Sequence, residues 1–136
     1  MRDSSDIELI AKMIDQRQEK TVIVVSALWG VTDRLLRAAN EPRYATRLVS
    51  DLRKQHLRFS PGLDDSIFAE KFDKVLFGID KSLFNLSKSP ESYVDVNTLL
   101  AAGERLSALV VAHELRKRNM DAHPVGSEDV GICLDG

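Results

Sequence analysis

The sequence predicts an α/β chain, part of a three-layer α/β/α sandwich, on three observations. The run Thr21-Val22-Ile23-Val24-Val25-Ser26-Ala27 places four consecutive β-branched residues, Val22 to Val25, behind Thr21, a pattern that suits a strand buried on both faces. Stretches with apolar residues every three or four positions lie on either side of it, as covering helices would. A second short run, residues 120–125, follows a long helical stretch and reads as another strand. Two parallel strands cannot bury their own faces, so the sheet is expected only in part.

The elements follow in order. Ser5 with Glu8 three residues later makes a capping box, and Ile7, Ile10, Ala11 and Ile14 keep helical spacing over residues 6–17. The strand at 21–27 then stops at Ser26 and turns through Gly30, with Thr32 placed to cap a helix running on through Leu35, Leu36 and Ala39. Glu41-Pro42 breaks that pattern, and residues 44–59 resume it with Leu48, Val49, Leu52 and His56 on or near one face. Ser60-Pro61-Gly62 closes this helix. Over residues 65–86, Phe68, Phe72, Val75, Leu76, Ile79, Leu83 and Leu86 form the apolar stripe of a long amphipathic helix that packs as core. Ser89-Pro90 ends it. A last helix starts near Asp95 or Asn97 and runs to the basic Arg116-Lys117-Arg118, which suits the negative end of a helix dipole. Residues 129–136 have no element of their own, and the whole chain, 1–136, reads as one partial domain.

Composition narrows the function classes. With 136 residues, 43% hydrophobic and 29% charged, the balance is globular, and a net charge of -2 gives no basic field for nucleic acid. No apolar run reaches membrane-spanning length, and Met1-Arg2-Asp3 opens a charged segment unlike a signal peptide. The expected location is cytoplasmic, without nucleic-acid or membrane partners. The single cysteine, Cys133, cannot form an internal disulfide and reads as a packed residue. His56, His113 and His123 share no ligand spacing and are expected at surface or boundary positions, so no metal site is expected.

The strongest candidate site is the turn after the first strand. In open α/β sheets ligands bind beyond the carboxyl ends of strands, and Ser26, Gly30 and Thr32 fall there. Hydroxyls and free N–H groups at a helix start favour a phosphate or carboxylate. Trp29 reads equally well as a residue at this site and as a hydrophobic staple for the helix that follows.

Two segments in order, Val25-Ser26-Ala27-Leu28-Trp29-Gly30-Val31-Thr32-Asp33-Arg34-Leu35-Leu36 and Gly103-Glu104-Arg105-Leu106-Ser107-Ala108, resemble the VSA-x-x-GVTD-x-LL and GE-x-LSA segments of aspartate kinases. The resemblance implies the partial three-layer α/β/α sandwich of the amino acid kinase type. It also implies an ATP-dependent enzyme of lysine and threonine biosynthesis, which phosphorylates the side-chain carboxylate of L-aspartate to give aspartyl phosphate. That carboxylate is already ionised at neutral pH, so no protein base is needed and catalysis rests on positioning and charge. By resemblance, Ser26 and Thr32 hydrogen-bond the substrate or the transferring phosphate, and Glu104 holds the α-ammonium group. Gly30 and Gly103 let backbone approach the ligand. The resemblance assigns no catalytic residue to this chain. ATP and magnesium are implied as cofactors.

The sequence also departs from the family. The K-F-G-G-[ST]-S segment with its phosphate-binding lysine, the later nucleotide-binding segments and the regulatory domains are absent from these residues. Trp29 stands where small residues are common, and Ala101 where serine is frequent. The isolated chain is therefore expected to be inactive, and to self-associate through its unpaired strand or the 68–86 helix. Two alternatives stay open: a kinase for another carboxylate or carbamate acceptor, and a non-catalytic binding or assembly module derived from a kinase domain.

Overall fold

The computed structural model describes residues 1–17 and 19–126, and among them the fold is helical throughout. Five α-helices, α1 (Ser4–Arg17), α2 (Val31–Asn40), α3 (Leu48–Phe59), α4 (Ala69–Lys88) and α5 (Tyr93–Lys117), are joined with two 3-10 turns, Pro42–Tyr44 and Leu63–Asp65. The expected α/β sandwich is not formed: the described residues contain no strand and no sheet. Residues 129–136, with Cys133, lie outside the described residues.

Helix α5 is the central element, and its length explains why helices alone make the core. Leu99, Leu106, Leu109 and Val110 on it are buried against Leu35 of α2, Leu52 of α3, and Phe72 and Ile79 of α4. Its other side meets α1, where Val111 and Leu115 pack with Ile7 and Ala11. A helix with so wide an apolar surface needs several neighbours. Side chains from all four other helices bury it.

The two expected strands show why a short apolar run was misleading. Residues 21–27 and 120–125 are not helical, and Ile23, Val25, Met120 and Ala122 pack onto the α1 and α5 cluster while Val22 and Val24 point to solvent. A β-branched run gives an extended backbone, but a strand exists only where a neighbour accepts its ladder. Here the two segments lie against helices, one face in and one out, and neither has a ladder partner among the described residues.

Helix boundaries shift for local reasons. Asp3 starts α1 by accepting the Ser5 N–H at 2.8 Å and the Ser5 hydroxyl, so Ser5 and Glu8 do not form the expected box. Glu8 instead pairs with Arg118 beyond the end of α5, with 2.9 Å from Nε. Ser92 caps α5, accepting the Asp95 N–H at 3.3 Å while its hydroxyl donates to Asp95 Oδ2 at 2.6 Å, and the helix therefore starts at Tyr93. Helix α4 starts later than expected because Ser66 forms a local turn, donating to the Leu63 carbonyl and accepting from the Phe68 N–H. Residue 44 ends the 3-10 turn and residues 45–47 form a further turn, so α3 begins at Leu48.

Candidate functional site

The turn between the extended segment and α2 is fixed from several sides. Leu28 is buried and its carbonyl accepts the Val31 N–H at 3.0 Å, which closes the turn. Gly30 takes φ +81°, a left-handed conformation that side-chain-bearing residues rarely adopt, and it occupies the N-cap of α2. Thr32, the expected cap, is instead inside the first turn, and no side chain caps this helix. The backbone of Trp29 is held twice: its N–H donates to the Met1 carbonyl at 3.0 Å, and its carbonyl accepts from Gln55 Nε2 at 3.3 Å. Its ring is 70% exposed under the Arg2 guanidinium, 5.6 Å from the centroid, and so does not act as a packed staple.

Gly103 joins this turn to the second segment. A Cβ on it would stand 3.2 Å from Ala27 Cβ and from Leu35 Cδ1, and 3.4 Å from Val31 Cγ1. Glycine in a helix interior costs about 1 kcal/mol relative to alanine, and here it permits close approach of α2 and residue 27 to α5. The two segments that suggested a site in the sequence are therefore neighbours in space. Ser26 and Thr32, which flank the Gly103 contact on one segment, and Glu104, next to it on the other, are all exposed. The contacts that surround Gly103 are protein side chains.

Beside the turn opens a cleft of about 870 Å³, between the amino-terminal residues, the 28–30 turn and α3. Trp29 and Gly30 line it from the turn, Arg34 from α2, Lys54 and Arg58 from α3, and Arg2 from the amino-terminal residues. Ser26, Thr32 and Glu104 are not among its lining residues. The sequence reading missed this cationic group because it followed the apolar face of residues 44–59. The signal was present in Lys54 and Arg58, four apart and hence on one helix face.

Of the three histidines, His56 departs from the surface or boundary position expected, while His113 and His123 take such positions. His56 is fully buried, with its Nδ1–H donating to the Leu52 carbonyl at 2.6 Å, and burial pushes its pKa down from the usual 6.5. Its Nε2 has no hydrogen-bond partner among the described residues. His113 is half-buried and bonds through Nδ1 to the buried Ser60 hydroxyl at 2.6 Å; burial first, then the Lys117 charge, lower its pKa. His123 is exposed, 2.9 Å from Asp121. Among the described residues no group of three His, Cys, Asp or Glu side chains could hold a metal ion, so these residues supply no ligand set for magnesium.

No helix among the described residues is long and apolar enough to cross a membrane. No family model, curated protein or solved structure matches the chain.

Proposed function

We propose that this chain is the amino-acid-binding segment of an aspartate kinase, carried on a helical body. The observation that supports this most is the Gly103 contact with Ala27, Val31 and Leu35, which makes neighbours of two segments 70 residues or so apart in sequence. A shared site requires that proximity, and the close packing of α2 and residue 27 on α5 at Gly103 supplies it.

In this reading Ser26 and Thr32 offer hydroxyls to the substrate carboxylate or to the transferring phosphoryl group. Glu104 faces the α-ammonium group, a charge-assisted contact that selects an amino acid over a plain dicarboxylate. The acceptor carboxylate is ionised at neutral pH, so the residues orient it and need not remove a proton. ATP is the phosphoryl donor of the proposed parent reaction. Magnesium has no ligand set among the described residues, and no step is assigned to it.

Calorimetry with L-aspartate and with succinate, which lacks the ammonium group, tests the reading. The expected result is preference for L-aspartate in the wild-type chain and loss of that preference in Glu104→Ala. Equal binding of both ligands by the wild-type chain, or an unchanged preference in the variant, would overturn it.

A second reading has one observation in its favour. Val24 is 85% exposed and Val22 45% exposed on an extended segment with no ladder partner among the described residues, which suits an assembly module that pairs with another chain.

A further inference from the structure

The cleft beside the turn has a charge pattern that the amino-acid site does not use. Four cationic side chains, Arg2, Arg34, Lys54 and Arg58, line it along with three carboxylates, Asp3, Asp33 and Asp51. The acids are committed locally. Asp3 accepts the Ser5 N–H at the start of α1, while Asp33 and Asp51 sit in the first turns of α2 and α3, where helix dipoles favour negative charge. Of the cations, Arg58 is placed likewise, in the last turn of α3 where the helix dipole favours positive charge, whereas Arg34 and Lys54 have no such placement. No carboxylate among the described residues forms an ion pair with Arg34, Lys54 or Arg58.

Their placement is also specific. Gln55 accepts from Arg34 Nη2 through Oε1 and donates to the Trp29 carbonyl through Nε2, so one side chain orients the guanidinium against the turn. Lys54 and Arg58 lie four apart and exposed on α3, a like-charge pair that destabilises a helix unless something anionic lies between. Arginine offers forked donors that match phosphate oxygens, and lysine adds a mobile point charge. The exposed Trp29 ring at the rim provides a flat surface.

We propose that this cleft binds a polyphosphate chain through Arg34, Lys54 and Arg58. Two sources share that chemistry: a free inorganic polyphosphate and the phosphate tail of a nucleoside triphosphate. The inference stands apart from the amino-acid reading, since none of its residues is Ser26, Thr32 or Glu104.

Calorimetric titration with tripolyphosphate and with ATP tests it, with the emission of Trp29, the single tryptophan of the chain, followed in parallel. Drawing Arg2 off the indole toward phosphate would alter that emission. Both ligands are expected to bind saturably, and the double variant Lys54→Gln, Arg58→Gln is expected to weaken binding about tenfold or more while retaining the wild-type far-ultraviolet circular dichroism. Lys74→Gln and Lys88→Gln on α4, away from the cleft, are expected to leave binding unchanged. Equal affinity for the two ligands assigns binding to the phosphate chain alone; tighter binding of ATP adds a base stacked on Trp29. Absence of saturable binding at millimolar ligand, or wild-type affinity in a folded double variant, would overturn the proposal. A chain that binds tripolyphosphate but not L-aspartate would refute the amino-acid reading and leave this one standing.

Discussion

Replacing Gly103 by valine tests whether close approach at this position holds the two segments together. The new Cβ would meet Ala27 Cβ and Leu35 Cδ1 at 3.2 Å and Val31 Cγ1 at 3.4 Å, and Val31 and Leu35 are fully buried. Two further methyl groups would have to enter the same space with little freedom at χ1. Overpacking of this kind costs about 1–3 kcal/mol, whereas replacing glycine by valine in a helix returns only about 0.4 kcal/mol. The net loss should be about 0.6–2.6 kcal/mol, from the same balance of overpacking against helix propensity. Alanine is the control: its helix propensity returns about 1 kcal/mol, close to the strain of one tight methyl, so Gly103→Ala should be near neutral. Urea unfolding followed by circular dichroism measures both variants. At about 3–6 °C per kcal/mol for a chain of this size, Gly103→Val should also lower Tm by roughly 2–16 °C. A valine variant with a wild-type midpoint would refute the packing argument.

Acid should destabilise the fold through His56, which burial holds neutral with a pKa below the ordinary 6.5: its contribution is full above pH 6.5 and is lost as pH falls from there toward the folded value. Denaturation midpoints across pH should show this slope, and a folded His56→Gln variant that kept the whole slope would contradict it. Ser92→Ala should cost about 1 kcal/mol by removing the cap of α5, read from the urea midpoint, and an unchanged midpoint would contradict that cap. The purified chain, which holds no K-F-G-G-[ST] lysine segment, should show no turnover in a coupled assay with ATP, magnesium and aspartate; turnover near that of an intact kinase would contradict the fragment reading. Sedimentation across a dilution series should reveal self-association driven by the exposed Val22 and Val24 edge, against which a compact monomer at high concentration would count.

The helices were legible because each writes its own period into the sequence. Phe72, Leu76, Ile79, Leu83 and Leu86 alternate by three and four, and all are buried in α4. The fold class was not legible, because the Val22 to Val25 run specifies an extended backbone and says nothing of whether a ladder partner exists. His56 was misplaced for a related reason: a histidine on an apolar helical face can be surface or core, and only the packing around Leu52 decides it. The nearness of Gly103 to Ala27 was foreshadowed by glycine in a helix interior, yet no local pattern names the partner across such a gap. The cleft was hidden more deeply, since Arg34 and Lys54 come together only through the packing of α2 against α3.

Residues 26–32 and 103–104 are proposed to form a single surface for an amino acid. Amide chemical shifts recorded by two-dimensional NMR during titration with L-aspartate test it most directly. The predicted result is a saturable set of shifts centred on Ser26, Thr32 and Glu104 and much weaker with succinate. Shifts that appear elsewhere, or in only one of the two segments, would contradict it.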